Sequence, residues 1–348
     1  MDDVKNTSSR SCQEVTAIRR ISRWLVRGFA GIILAIVLFV AVAWTWQSYF
    51  GPRVDPNLTA PVIGVGNSGG SGPDGSDPVS EPELPGMLAG LSQSKIDQAE
   101  HPLDAVLDIA QRARDRINSE VADYTTIMSN SVRVDGGELR EEQFLYCKIR
   151  HERMEDGKKI PFSIYTSFLK PQDKLGQEAI WVEGQNDNKL VGHAPTVKLP
   201  VWLAPDGSIA MEGNRYPIWE LGILKLLDQM IEKGNRDRQH GDCEVRLNTK
   251  ATINERPCVM IEVVHPVKKE PFDFHICRIY IDLQDQLPVA YEGYIWPEKP
   301  GDEPPLLERY VYTEIKTNVQ LDDLDFDLAN AEYQFWGLNK KRRDKKRE

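Results

Sequence analysis

The sequence predicts an α+β fold: a strongly curved antiparallel β-sheet, a half-barrel of about eleven strands, with helices covering one face and one transmembrane helix before it. Three observations carry this. The apolar residues after residue 123 recur mostly with a period of two, one amphipathic helical pattern precedes them and one interrupts them, and one long uncharged run lies near the N-terminus.

That run is Gly28 to Tyr49, 22 residues without a formal charge, long enough at the helical rise to cross the hydrocarbon layer. Arg19, Arg20, Arg23 and Arg27 precede it and no basic residue follows until Arg53, so the positive-inside rule places residues 1–27 in the cytoplasm. Trp44, Trp46, Tyr49 and Phe50 crowd the exit end, where amphipathic rings favour the headgroup layer. The span is set at 28–50. A cleaved signal peptide is the alternative, because Ala41-Val42-Ala43 follows an apolar stretch. Either reading exports the rest of the chain to the periplasm or another extracytoplasmic space.

Residues 51–100 read as a linker. Seven prolines and nine glycines fall between Gly51 and Gly90, around the polar run GNSGGSGPDGSDP, a composition too poor in apolar area to order itself. As a flexible chain it reaches about 40 Å.

The soluble domain, 101–336, opens with a helix on the stripe Leu103, Val106, Leu107, Ala110, Ile117 and Val121. Strands are expected at Tyr124 to Val134 and Glu138 to Arg150 across the turn Asp135-Gly136-Gly137. Further strands follow around Phe162 to Phe168, at Glu178 to Val182 and at Lys189 to His193. Trp219, Ile223, Leu226, Leu227, Met230 and Ile231 mark a second helix, with Gly234 as its stop. Strands resume at Glu244 to Ile253, Cys258 to His265, Phe272 to Leu283, Val289 to Trp296 and Leu307 to Lys316.

Several strands are apolar on both faces, Cys258 to Val264 above all. Either helices and loops cover both sides, or a concave side lines an apolar cavity. The cavity reading makes Phe162, Ile164, Phe168, Trp181, Val259, Ile261 and Val263 its lining, with Trp219, Ile223, Leu227 and Met230 on the lid helix.

Charge and motifs narrow the function. The formal charge of −10 is unevenly spread: residues 51–339 hold 30 basic and 48 acidic side chains, a charge of −18. So acidic a body argues against nucleic-acid binding, where Lys and Arg neutralise phosphates. Residues 337–348 form a basic tail, with seven basic and two acidic side chains from Lys340 to Glu348. It is either a solubilising tail or an arm for an anionic surface between Lys340 and Arg347.

Gly66-Asn67-Ser68-Gly69-Gly70 has the spacing of a nucleophile elbow but lacks the strand and helix that would make one. Asp323, Asp325 and Asp327 alternate, yet Leu328 and Gln334 stand where a calcium loop needs glycine and glutamate, so a solvated acidic turn is expected. The six histidines have no metal-ligand spacing, although His265 and His275 are placed to meet across a hairpin. Cys147, Cys243, Cys258 and Cys277 read as buried thiols, one disulfide being the alternative. No catalytic residue, metal or cofactor is expected.

Tyr165 to Pro171, Gly176 to Val182 and Lys189 to His193 resemble an uncharacterised family of exported planctomycete proteins, domain-of-unknown-function family 1571. They also resemble the lipoprotein-carrier superfamily of LolA, LolB and RseB. Leu324 to Asp327 with Tyr333 to Phe335 is similar to the way such domains close. The likeness spans roughly Asp104 to Phe335. It implies a half-open barrel closed by helices, a cavity for acyl chains and no enzyme. The expected function is that of a membrane-anchored, non-catalytic acceptor, carrier or sensor of lipid or lipoprotein acyl chains. A structural or signalling domain with a protein partner and an envelope hydrolase are the alternatives.

Overall fold

The computed structural model describes residues 55, 57–66, 84–134, 136–241 and 243–336. The expected span Gly28 to Tyr49, the cytoplasmic segment, the middle of the linker with Asn67 to Gly70, and the basic run from Lys340 lie outside the described residues. Among the described residues no helix is long and apolar enough to cross a membrane.

The chain forms fourteen described strands: β1 (Ile63–Val65), β2 (Asp123–Val132), β3 (Gln143–Arg150), β4 (Arg153–Glu155), β5 (Lys158–Ile160), β6 (Ser163–Lys170), β7 (Glu178–Val182), β8 (Leu190–His193), β9 (Val201–Leu203), β10 (Glu244–Ile253), β11 (Arg256–Val264), β12 (Ile276–Asp282), β13 (Pro288–Tyr294) and β14 (Leu306–Thr317). Three α-helices accompany them among the described residues: α1 (Gln93–Gln98), α2 (Leu103–Glu120) and α3 (Ile223–Arg238). Twelve strands make one sheet in the order β1-β10-β11-β12-β13-β14-β2-β3-β6-β7-β8-β9, with every neighbouring pair antiparallel. β4 and β5 form a separate ribbon. Two meanders, β10 to β14 and β2 to β9, are therefore fused through the long β14–β2 pairing, from Glu308↔Val132 to Thr317↔Tyr124.

Register assigns the faces. Leu247, Ile261, Ile279, Tyr291 and Tyr310 sit opposite one another across β10 to β14. They face the helices, and this side is the inner face. One position away, Arg246, Glu262, Arg278, Glu292 and Arg309 form a second row of partners, alternating in charge, on the outer face. Arg278 Nε lies 2.7 Å from Glu262 and Arg246 Nη1 lies 3.3 Å from it. Cross-strand opposite charges of this kind favour one register over its slipped alternatives.

The two sequence-read helices are present, with both ends of the second corrected. Trp219 belongs to a 3-10 turn, Ile218–Glu220, and α3 begins after Gly222, whose φ is +118°. A side chain at Gly222 would meet the Tyr124 hydroxyl, which accepts the backbone N–H of Ile223 and so satisfies one of the helix's free donors. Gly234 does not stop the helix, which runs through it to Arg238. A Cβ there would lie 2.8 Å from Leu107 Cδ2, so the glycine lets α3 approach α2 closely. Arg238–Asp104 and Arg114–Asp228 ion pairs tie the two antiparallel helices together along their length.

The structure also extends the fold into the stretch expected as linker. β1 pairs with β10, and Leu84, Met87, Leu88, Leu91 and Ile96 are buried in the main core. The Gln93 side chain accepts the N–H of Leu247 and donates to Val245 O, imitating a strand against β10. Composition averaged over 51–100 hides these short apolar runs.

On the outer face of β3, β6, β7 and β8 the residues from Leu321 to Phe335 lie as a strap. Phe326, Tyr333 and Phe335 bury against Tyr165, Ile180, Val182 and Val191. The alternating aspartates belong to it. Asp325 pairs with Lys148 at 2.6 Å and Asp323 with Arg150 at 2.8 Å, while Asp322 caps the turn. The expected solvated acidic turn is present, with Asp322, Asp323 and Asp327 exposed, and it is anchored as well, because two cations on β3 stand beneath it.

Candidate functional site

Between α2, α3 and the inner face of β11 to β14 lies a cavity of about 90 Å³. Its walls are apolar: Val106, Leu107 and Ala110 from α2, Leu226, Leu227 and Met230 from α3, and Ile261, Val263, Ile279 and Ile281 from the sheet. The helices leave this gap because two cylinders about 10 Å across cannot follow a sheet surface without space between them.

Polar groups gather at the cavity's edge. Glu308 is 1% exposed and its carboxylate accepts from Arg215 Nε (2.7 Å), Tyr216 Oη (3.0 Å) and Tyr291 Oη (3.1 Å), so a buried charge is fully paired. Burial, reinforced by Glu308, pushes the Tyr216 hydroxyl up to about 12. At another part of the wall the His265 ring donates from Nδ1 to Phe274 O at 3.2 Å and stacks on Phe272, leaving Nε2 3.6 Å from Asp237 Oδ2. Burial lowers the His265 pKa, partly offset by Asp237.

A second, wider cleft of about 600 Å³ adjoins the first, and Leu221 lines both. Phe162, Trp181 and Trp219 supply its aromatic wall, with centroid separations of 5.9 Å and 5.8 Å along that series. Lys225 Nζ stands 5.3 Å from the Phe162 ring centroid. His151 also lines the cleft; its Nδ1 donates to Val121 O at 2.8 Å and its buried Nε2 has no hydrogen-bond partner. Burial holds its pKa down.

The residues singled out in the sequence fall into three places. Ile261 and Val263 line the cavity, together with Leu227 and Met230 of α3. Phe162, Trp181 and Trp219 line the cleft. Ile164, Phe168, Val259 and Ile223 are buried in the main core and line neither space. Sequence reading missed His151 at the cleft, and it missed the cluster of Glu308, Tyr216 and Tyr291, which stand far apart in the chain and meet only in the fold. A glutamate at an inward strand position of β14 was the one available signal.

His265 and His275 do meet: His265 N–H donates to His275 O at 2.7 Å, the His275 ring donates from Nδ1 to His265 O at 2.8 Å, and that ring packs on Trp296. Cys147, Cys258 and Cys277 carry buried free thiols and Cys243 is buried as well. Burial pushes Cys147 and Cys258 up to about 12. Among the described residues no group of three His, Cys, Asp or Glu side chains could hold a metal.

Comparison with known proteins gives distant likenesses. No curated protein matches. A DUF1329 family protein from Desulfovibrio piger is 14% identical, with 66% of this chain and 98% of that one covered at a TM-score of 0.35. A domain described as an outer membrane lipoprotein-sorting protein, from Vibrio parahaemolyticus, is 11% identical, with 64% and 95% covered at 0.31. A LolA superfamily protein from Nitrosomonas europaea is 10% identical, with 63% and 96% covered at 0.27. These superpose too loosely to carry a ligand across. The sequence family is a firmer result, since its profile matches residues 121–335, more than half of the chain: the protein belongs to the family of proteins of unknown function DUF1571.

Proposed function

We propose that this is a membrane-anchored envelope protein whose exported domain binds an apolar ligand, the acyl chain of a lipid or lipoprotein, as acceptor, carrier or sensor. The run Gly28 to Tyr49 is the anchor, and the sheet acts as a half-barrel with α2 and α3 closing its inner side. One observation carries the reading: the apolar cavity of about 90 Å³ under α3 opens beside a cleft of about 600 Å³. The cavity exceeds the roughly 10–15 Å³ a water needs but falls short of the roughly 300 Å³ of ordinary ligand sites. An acyl chain therefore enters only as α3 lifts, and the cleft gives its polar end a place. The backbone before α3 turns at Gly222, where a hinge is least costly.

The test is lipid extraction and mass spectrometry on the full chain purified from cells, beside Ala110→Phe, which fills the cavity from α2. Lipid retained by the first and lost from the second supports the reading. Equal lipid in both refutes it, because lipid then follows the anchor rather than the domain.

A further inference from the structure

The cleft beside the cavity has a wall whose chemistry an acyl chain does not use. His151 stands in that wall, 3% exposed, with its Nδ1–H donated to Val121 O at 2.8 Å. A carbonyl only accepts, so this bond fixes the tautomer, and burial holds the pKa down; the ring is neutral at pH 7 and its Nε2 is an acceptor. Nε2 is buried and has no hydrogen-bond partner among the described residues. An acceptor left in that state is costly until something that enters the cleft donates to it.

The rest of the wall narrows what that donor belongs to. Trp219 is half-buried and tilted by 53° to Trp181, whose indole N–H is held by Asn188 O at 3.1 Å, and Phe162 packs edge-on to Trp181. Around these rings stand charges of both signs, the carboxylates of Glu152, Glu183, Asp187 and Asp206 and the ammonium groups of Lys189 and Lys225. Lys159 bridges Glu152 at 3.0 Å and Glu183 at 3.3 Å and so offsets two of the carboxylates. An anion would meet the remaining carboxylates, and a cation would meet Lys225, which already stands over the Phe162 ring. A hydroxyl suits every one of these groups, because it donates to a carboxylate or to Nε2 and accepts from an ammonium. A ring with hydroxyls on its edge and C–H groups on its face also suits the indoles, whose π faces are negative. The cleft's volume of about 600 Å³ falls in the roughly 300–1,000 Å³ range of small-molecule sites.

We infer that the cleft is a saccharide site, with a sugar ring packed on Trp219 and one of its hydroxyls donating to His151 Nε2. This goes beyond the acyl reading and does not depend on it, since a free glycan and the sugar headgroup of a glycolipid present the same ring.

Saturation-transfer NMR on the full chain in a sugar-free detergent tests it. The probes are glucose, galactose, mannose and N-acetylglucosamine, each as the free sugar and as a disaccharide, with choline and inorganic phosphate as competitors. The expected result is saturation transfer to the ring protons of at least one saccharide, which neither competitor displaces. Affinity then falls at least tenfold in His151→Asn, whose amide replaces the Nδ1 donor but not Nε2, while the melting temperature is kept. Trp219→Leu, which removes the stacking face, weakens binding by a similar factor. Ala110→Phe separates the two sources. A free glycan keeps its affinity in that variant, whereas a glucosyl diacylglycerol that binds the original chain at least tenfold tighter than its free sugar, and loses that margin in the variant, makes the sugar a headgroup. No transfer to any of the saccharides overturns the inference. So does binding that His151→Asn or Trp219→Leu leaves intact, or that choline or phosphate displaces.

Discussion

The two faces of the sheet are covered in different ways: an extended strap lies on one, and two helices with a cavity beneath them lie on the other. On the outer face of β6 to β8 an extended strap lies flat on the strands: Tyr333 stacks on Tyr165 at 4.1 Å, and Phe335 meets His193 edge-on. Glu178, 3% exposed beneath it, accepts from Tyr165 Oη and His193 Nε2 at 2.9 Å each and from the backbone N–H of Gln334 at 2.8 Å. The buried carboxylate is thus held by three donors, and Lys148 and Arg150 pair with Asp325 and Asp323. On the inner face two helices bridge several strands and leave a gap beneath α3. Apolar residues on both faces of a strand therefore do not by themselves identify a ligand surface, since one such face here lies under a strap.

The largest expected effect breaks the sealed face. Glu178→Ala strands two side-chain donors and the backbone N–H of Gln334, at a cost of about 3–5 kcal/mol in denaturant unfolding, while lipid retention by molecules still folded is unchanged. A loss under about 1 kcal/mol would mean that the strap is held elsewhere. Next is Gly234→Leu, which forces α3 away from Leu107 and costs about 1–3 kcal/mol in the same measurement. Unchanged stability would show that the helix pair is loose.

A smaller effect comes from pH. Burial holds His151 and His265 below the ordinary histidine range, so the unfolded chain takes up protons that the folded chain refuses. Stability present above about pH 6.5 falls as the pH drops below that value. Thermal unfolding between pH 7.5 and 5 reads it, and replacing His151 and His265 with Gln reduces the slope. The opposite slope would mean that the pair is charged in the fold.

Much of this fold was legible because the apolar period changes cleanly. The five strands from Glu244 onward and both long helices follow from spacing alone, and the inner row through Ile261 follows from alternation once a face is chosen. The misses have physical causes. Gly234 looked like a stop because glycine disfavours helix, yet helix packing against Leu107 overrode propensity. β9 was passed over because three residues are too few to show a period, and residues 84–98 because a Pro- and Gly-rich neighbourhood diluted them. The Glu308 cluster and the cleft at His151 are products of strand order, since β14 pairs with β2 across nearly the whole domain. No local pattern encodes that pairing.

The central claim is that the inner face, and not the outer, takes the ligand. A fatty acid carrying a photoactivatable group at its tail, incubated with the full chain and irradiated, should label peptides of α2, α3 and β11 to β13, and Ala110→Phe should suppress the label with stability within about 1–2 kcal/mol of the original. Labelling confined to the strap between Leu321 and Phe335, or labelling that Ala110→Phe leaves intact, would contradict it.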